Sequence, residues 1–519
     1  MSDTKLRNFH EAKWDEDLIF EQSVPGSRSL LVPDVSKEAE TVTGELSGLM
    51  PQGLKRKEKP ALPELGQPQV LRHYLRLSQE TIGQDINIDI GLGTCTMKYS
   101  PKINEQFVRS PKFTEMHPYQ DDDTAQGILK IIYDFEQIMK EISGLDAVSF
   151  QPGGGGQGLY ANGAVLKKYF EDKGEAEQRT QIITTILSHP LDAAAPAMKG
   201  FEVISLFPDD NGYPSLENLK AVVSEKTAGI FITNPEDTGV FNPIIREFVD
   251  VVHQAGGLCV CDMADYNGLF GLVRAKELGA DMCHFNLHKA FSSPHGCMGP
   301  GCAAQCVSAE LEKYLPRPRV RFDGQRYYTD YDGPDSVGKI RQFHGSLSAV
   351  IRAYAWVMSL GRDGLKAVAE TAILNNNYMM KRVLNEVKGI SMSWAEKAPN
   401  RLEQVRYSFE KLYKDTGVSA EDVNRHLVDF GFQRFFPSHH PLIVPEPFTP
   451  EPTESYSKAD IDEYVTALKK ISDEAYSTPD VVINAPYNAP ISKLENDHIK
   501  DYTELAVTWR AYKKQHPDA

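Results

Sequence analysis

No stretch of this 519-residue chain is apolar for long enough to cross a membrane as a helix, and the opening MSDTKLRNFHEAKWDED is too polar for a signal peptide. A cytoplasmic location is the expectation. Basic residues are in the minority: 56 Lys and Arg against 72 Asp and Glu leave a net charge of −16. A nucleic-acid partner needs clustered positive charge, so this balance argues against one. Cysteine is sparse, with seven residues, an odd number, several of them in apolar strand-like runs (Cys259, Cys261, Cys283). That pattern reads as reduced and intracellular. Neither Cys259-x-Cys261 nor the group Cys297, Cys302, Cys306 has the paired spacing of a zinc site, so no metal is expected. No internal repeat is present. What remains is the composition of an ordinary globular protein, long enough for two or three domains.

The glycines are informative first for what does not accompany them. Gln151-Pro152-Gly153-Gly154-Gly155-Gly156-Gln157-Gly158 has no Gly-Lys-Ser/Thr after it and lacks the spacing of a dinucleotide fingerprint. It does follow the apolar Ala147 to Phe150 and precede a helical pattern, Leu159 to Phe170. Strand, glycine turn and helix together present backbone N–H groups and a positive helix end to a phosphate. Downstream, the apolar run Leu258 to Cys261 stops at Asp262, and a second short strand, Met282 to Asn286, leads to His288-Lys289. Both read as buried parallel strands carrying chemistry to their C-terminal ends. An acid and a lysine on such ends, preceded by a phosphate cradle, suit pyridoxal 5'-phosphate. That cofactor needs an amine for its Schiff base and a carboxylate on its ring nitrogen.

From Phe150 to Cys306 the chain alternates strand and helix, the signature of an α/β domain with a mostly parallel sheet. Strands are expected at Ile182–Leu187, Glu202–Leu206, Gly229–Thr233, Leu258–Cys261 and Met282–Asn286, with helices such as Ser215–Val223 and Pro243–Ala255 between them. Ligands of such sheets gather beyond the carboxyl ends of the strands, where His189, Asn234, Asp262 and Lys289 fall. Residues 1–75 read as an N-terminal arm, 76–345 as the large cofactor-binding domain, and 346–519 as a smaller α+β domain. Within the large domain, Gly93-Thr94-Cys95-Thr96 belongs to a hydroxyl-rich loop of the kind that lines pockets. Asp121-Asp122-Asp123 is expected to cap the helix ending at Ser143. Arg321 to Gly345 has little periodicity and reads as a loop. In the smaller domain Leu442–Val444 is expected to be a short strand among six prolines between Pro437 and Pro452.

Gly93-Thr94-Cys95-Thr96-Met97-Lys98-Tyr99-Ser100-Pro101-Lys102-Ile103-Asn104-Glu105 closely resembles the GSCTMKYNPKINE segment of the glycine decarboxylase P-protein family, in particular its pyridoxal-bearing subunit 2. PQVLRHYLRLSQ, the glycine loop, AGGLCVCDMA, GADMCHFNLHKAFSSPHG, DGLKAVAETAILNNNYM and EPTESYSK resemble family segments in the same order, over roughly residues 20 to 475. The resemblance implies the type I pyridoxal-phosphate-dependent transferase fold. It implies Lys289 as the Schiff-base lysine, Asp262 on the ring nitrogen and His189 stacked on the ring. Gly155, Gly156 and Gln157 would cradle the phosphate, with His288 nearby and Ser346 contributing, within one chain or across a dimer. Thr94, Cys95, Thr96 and Asn234 would lie on the substrate side. The implied activity is glycine decarboxylation with transfer of the aminomethyl group to a lipoyl H-protein. A separate subunit 1 would be a further partner, in a dimer or heterotetramer.

Several residues depart from the family pattern. HKTF becomes His288-Lys289-Ala290-Phe291, DGAN becomes Asp262-Met263-Ala264-Asp265, and the Glu after the glycine loop becomes Leu159. HGTNPAS becomes a run ending Pro190-Leu191-Asp192-Ala193-Ala194-Ala195, the PHGGG turn becomes Pro294-His295-Gly296-Cys297-Met298, and a His-Glu pair becomes Glu403-Gln404. A pocket made partly apolar in this way would admit another amino acid. A pyridoxal enzyme without lipoyl chemistry and a catalytically silent partner subunit are therefore the alternatives.

Overall fold

Seven short strands form one sheet: β1 (Ala147–Ser149), β2 (Gln181–Thr185), β3 (Glu202–Leu206), β4 (Thr227–Thr233), β5 (Leu258–Met263), β6 (Met282–Asn286) and β7 (Ala303–Val307). Their spatial order is β1-β7-β6-β5-β4-β2-β3. Neighbours from β3 through β6 run parallel, while β7 runs antiparallel to both β6 and β1. The structure is a computed structural model that describes residues 4–28, 34–44, 50–58, 60–83, 86–95, 98–294, 299–440, 442–493, 505–506 and 508–517. Five of the strands lie where the apolar runs of the sequence place them. β7 was not expected; its Cys302 to Val307 run is buried throughout and closes the sheet between β1 and β6.

Both faces of the sheet are covered, which is why its strands read as continuous apolar runs rather than alternating ones. On one face the helix Gly155–Asp172 packs Leu159, Val165, Leu166 and Phe170 against Val260 and Met282. On the other, helices Gln126–Ser143 and Ile245–Gln254 bring Phe135 and Phe248 to Phe285 and Phe291. A further cluster joins Met379, Val383, Tyr407, Phe448 and Tyr464. It draws on the 40-residue helical segment Leu347–Glu386, which breaks at Gly361, and on helix Lys458–Ser477.

The hairpin β8 (Arg319–Phe322) and β9 (Tyr327–Asp330) replaces part of the loop read from Arg321 to Gly345. The acids before helix Gln126–Ser143 serve this hairpin instead of capping the helix. Asp122 accepts from the Thr329 N–H (2.7 Å) and hydroxyl (2.8 Å), and Asp123 pairs with Arg326 (2.8 Å). A small sheet holds β10 (Ser391–Met392), β11 (Tyr407–Ser408) and β12 (Pro447–Phe448). Leu442–Val444 is a turn, not a strand; Leu442 is almost fully exposed, and the ladder begins after Pro445.

Contacts divide the chain into two units, Met1–Arg7 with Gln84–Asn484, and Asn8–Gly83 with Ala485–Ala519. The second unit contains helices Gln67–Gln79 and Trp509–Gln515. Glu16 bridges His73 (3.1 Å) and Arg76 (3.0 Å), and Phe20 stacks on Trp509. Among the described residues no helix is long and apolar enough to cross a membrane.

Candidate active site

The parallel strands β2, β4, β5 and β6 end on the same edge and deliver His189, Asn234, Asp262 and Lys289 there. Thr233 pairs with Asp262 and Asp262 with His284 in the ladder, so the acid is flanked on both sides within the sheet. Asp262 and Lys289 are both buried. The charges of both act on His189 and on His284, which places acid and amine about one small region. Oδ1 of Asp262 accepts from the Ala264 N–H (2.8 Å) and lies 3.3 Å from Nε2 of His284. Burial holds the His284 imidazole below its ordinary protonation range, so the ring beside Asp262 is neutral at pH 7.

His189 caps the helix Pro190–Ala197, its Nδ1 accepting from the Leu191 N–H at 3.1 Å. Burial, opposed by Asp262, pushes its pKa down to about 4. The ring of His439 meets it edge-on with 4.4 Å between centroids. Asn234 is also at the strand edge, but its side chain is occupied by both backbone groups of Asn242 (2.8 and 3.2 Å). Asp192, fully buried, accepts from Thr233 (3.1 Å), and burial together with the nearby Asp262 raises its carboxyl well above the usual range.

At the start of helix Gly155–Asp172 the first N–H groups, those of Gly155, Gly156 and Gln157, face outward as in any helix N-terminus. Gln157 Oε1 folds back to accept from the Gly153 N–H (2.7 Å). A cleft of about 980 Å³ opens here, lined by Gly153, Gly154, Gly156, Gln157, Gly299 to Gly301 and the stretch Lys339 to Gln342. The Arg341 guanidinium rests against Gly153 so closely that a Cβ there would collide with it, and Gly154 has φ +153°. Glycine is therefore favoured at 154 by conformation, while a Cβ at 153 would displace the guanidinium. His288 sits beneath it with Nδ1 against the backbone of Cys302 (3.2 and 3.3 Å). Ser346 precedes helix Leu347–Glu386 in the same region: its backbone reaches Cys302, and Gly345 (φ +86°) abuts the Phe150 carbonyl. Backbone donors, a guanidinium, an acid and an amine are the set an anionic aromatic cofactor requires, and the residues present fit one.

On the substrate side, Thr96 lies outside the described residues, as do His295 to Met298 of the turn that departs from the family pattern. The backbone of Thr94 and Cys95 ends the 3₁₀ segment Ile90–Cys95. Five of the other departures fall into two groups. Leu159, Met263 and Ala290 are buried in the hydrophobic core. Asp265 and Glu403 instead join Glu451, their carboxylate oxygens lying within 4.8 Å of one another. Asn267 donates to Asp265 (2.9 Å) and Glu451 (2.8 Å), and the Gly268 N–H donates to Glu403 (2.7 Å). Burial raises all three carboxyls, Glu403 to about 8; repulsion from Asp265 adds to the rise of Glu403 and Glu451, and the charges of Lys289 and Lys98 oppose it on Asp265 and Glu403. Arg341, His439 and this cluster were not singled out from the sequence as site residues. A tandem His439-His440 inside a proline-rich stretch is the one local signal that could have drawn notice.

The sheet order and the strand-end groups define the type I pyridoxal-phosphate-dependent transferase fold. A family model described as aminotransferase class-V matches residues 156–299, and one described as glycine dehydrogenase, C-terminal domain, matches residues 368–490. A probable glycine dehydrogenase (decarboxylating) subunit 2 of Pyrococcus furiosus is 42% identical over 98% of each chain. The protein of the same description from Caldanaerobacter subterraneus is 38% identical over 92% of this chain and 96% of its own. The chain belongs to the glycine dehydrogenase (decarboxylating) subunit 2 family. Among solved structures, an inhibitor-bound glycine decarboxylase (P-protein) of the glycine cleavage system shares the fold, with a TM-score of 0.70 at 19% identity over 85% of this chain and 100% of its own.

Proposed function

We propose that this chain is the pyridoxal-bearing subunit of a glycine-decarboxylating enzyme that passes the aminomethyl group to a lipoyl carrier protein, working with a separate subunit 1. The observation that carries the reading is the delivery of buried Asp262 and Lys289 to the same edge by adjacent parallel strands, with the helix that begins at Gly155 packed on the same sheet. Pyridoxal 5'-phosphate, when bound, supplies the electron sink that lets an α-carboxylate leave as carbon dioxide.

This chain's own groups do the rest. Lys289 holds the cofactor by its amine. Asp262, fixed by the Ala264 N–H, keeps a proton on the ring nitrogen and so stabilises charge that develops only as the carboxylate departs. His189, neutral at pH 7, offers a flat face without competing for that proton. Gly155, Gly156 and Gln157 bind phosphate through backbone N–H groups, and Arg341 neutralises its charge.

Exchange of labelled bicarbonate into the glycine carboxyl, with subunit 1 and lipoyl H-protein present, tests the reading. Incorporation that depends on all three proteins supports it. Cofactor absorbance with exchange for no pairing, but turnover of another amino acid, would reassign the substrate.

A further inference from the structure

A second constellation lies against His189. Asp237 follows β4 in the buried Asn234–Asn242 loop, and its Oδ2 meets Nδ1 of His439 at 2.6 Å. Arg406, almost wholly buried, donates to the Asp237 carbonyl (3.1 Å) and stands 4.0 Å from its carboxylate. Burial alone would raise this carboxyl, but His439 and Arg406 together hold it below the usual range, so it is ionised. The segment that carries His439 is fixed at both ends. Arg406 donates to Ser438 on one side, and His440 Nε2 reaches the Ser188 carbonyl (3.2 Å) on the other. Phe436 packs on the His439 ring at 4.8 Å. Nε2 of His439 hydrogen-bonds to no described residue, and the side chain keeps 17% of its exposure.

An imidazole oriented through Nδ1 by an ionised aspartate, with Nε2 free, is the arrangement of a general base. Resting on the reading of the site given above, we propose that His439 Nε2 accepts the proton that the amino-acid substrate must lose before its nitrogen can attack. An α-amino acid arrives as an ammonium, which has no lone pair. One N–H bond breaks, the electron pair stays on the substrate nitrogen, and the proton forms a new N–H bond at Nε2. Asp237 stabilises the imidazolium, which later releases the proton to solvent through its exposed edge. Other groups at the strand edge are less suited. His189 is a weak base with Nδ1 engaged, Asp192 and Glu236 are protonated by burial, and Asp262 and Lys289 hold the cofactor. The charged and titratable groups about His439 are Asp237 and Arg406, His189 and His440, and beyond His189, Asp262 and Lys289.

The test compares wild type, His439→Gln and Asp237→Asn as full chains loaded with cofactor. His439→Gln should keep the cofactor absorbance and lose about 10²-fold in kcat/KM for glycine at neutral pH. The loss should shrink as pH rises and free amine accumulates in solution. Asp237→Asn, which removes the charge favouring imidazolium, should move the acidic limb of kcat/KM to lower pH. Independently of turnover, ¹⁵N NMR of the chain without cofactor should show one imidazole that vanishes in His439→Gln and titrates at lower pH in Asp237→Asn. A His439→Gln enzyme with wild-type kcat/KM at every pH, or with a loss that high pH does not relieve, overturns the proposal. So does an imidazole titration that Asp237→Asn leaves in place, a result readable even if His439→Gln fails to fold. Absence of exchange in the wild type would instead count against the function proposed for the whole site.

Discussion

Oδ1 of Asp262 lies 3.3 Å from Nε2 of His284, the residue paired with it across β5 and β6. His284 is fully buried and shielded by Gly158, where a Cβ would come within 2.9 Å of its ring. The acid is therefore flanked by a neutral ring and a backbone N–H, which fix its carboxylate at the strand end. Asp262→Asn should retain the fold and lower bicarbonate exchange by at least about 10² to 10³-fold, the scale of losing an aligned electrostatic partner. Exchange within tenfold of wild type would show that this carboxylate does not serve the reaction.

Arg341 and Gly153 give a separate prediction. If the guanidinium at the glycine loop pairs with the cofactor phosphate, Arg341→Ala should cost about 1.5–3 kcal/mol of binding, or roughly a 10- to 100-fold weaker Kd. Gly153→Ala should act in the same direction by pushing the guanidinium aside. Equilibrium dialysis of the cofactor against both variants checks this, and an unchanged Kd in Arg341→Ala would assign the residue to shaping the cleft alone.

The sheet and the positions of Asp262 and Lys289 were legible because each depends on local information: a short buried run, then a polar residue where it stops. The glycine loop was legible for the same reason, since strand, turn and helix are consecutive. β7 escaped because Gly299 to Gly301 masked its start and its antiparallel direction follows from no local pattern. Leu442–Val444 looked like a strand by composition, yet the backbone pairing falls at Pro447–Phe448, where Phe448 enters the core. His439 meets His189, and Arg341 meets Gly153, across long separations in the chain, a proximity only tertiary folding creates. Asp265, Glu403 and Glu451 were visible one at a time, but their burial as one cluster is created only by folding.

Phe291, two residues after Lys289, tests how far the core supports the site. Its ring is fully buried against Phe270 (5.0 Å) and Phe285 (6.0 Å), and it borders Trp356 (6.4 Å). Phe291→Ala should destabilise the chain by about 3–5 kcal/mol, because the surrounding rings close the cavity only in part. Denaturant unfolding measures the loss. A cost under about 1 kcal/mol would mean that this cluster is not tightly packed.

The acidic cluster makes stability depend on pH in a direction opposite to that of His189. Glu403 is raised from an ordinary 4.5 to about 8, so the folded state holds its proton where the unfolded chain has released it. Its contribution is fully present below pH 4.5 and is lost as pH rises toward 8. His189 is lowered from 6.5 to about 4, so its contribution is present above pH 6.5 and is lost as pH falls toward 4. The two windows overlap, and the mutants separate them. Glu403→Gln, which keeps a neutral hydrogen-bonding side chain, should flatten the decline of Tm between about pH 5 and 8 relative to wild type. His189→Phe should flatten the decline between pH 6.5 and 4 and leave the profile above pH 6.5 unchanged. Parallel Tm profiles for Glu403→Gln and wild type through about pH 5 to 8 would mean that the folded state does not hold a proton on Glu403 across that range.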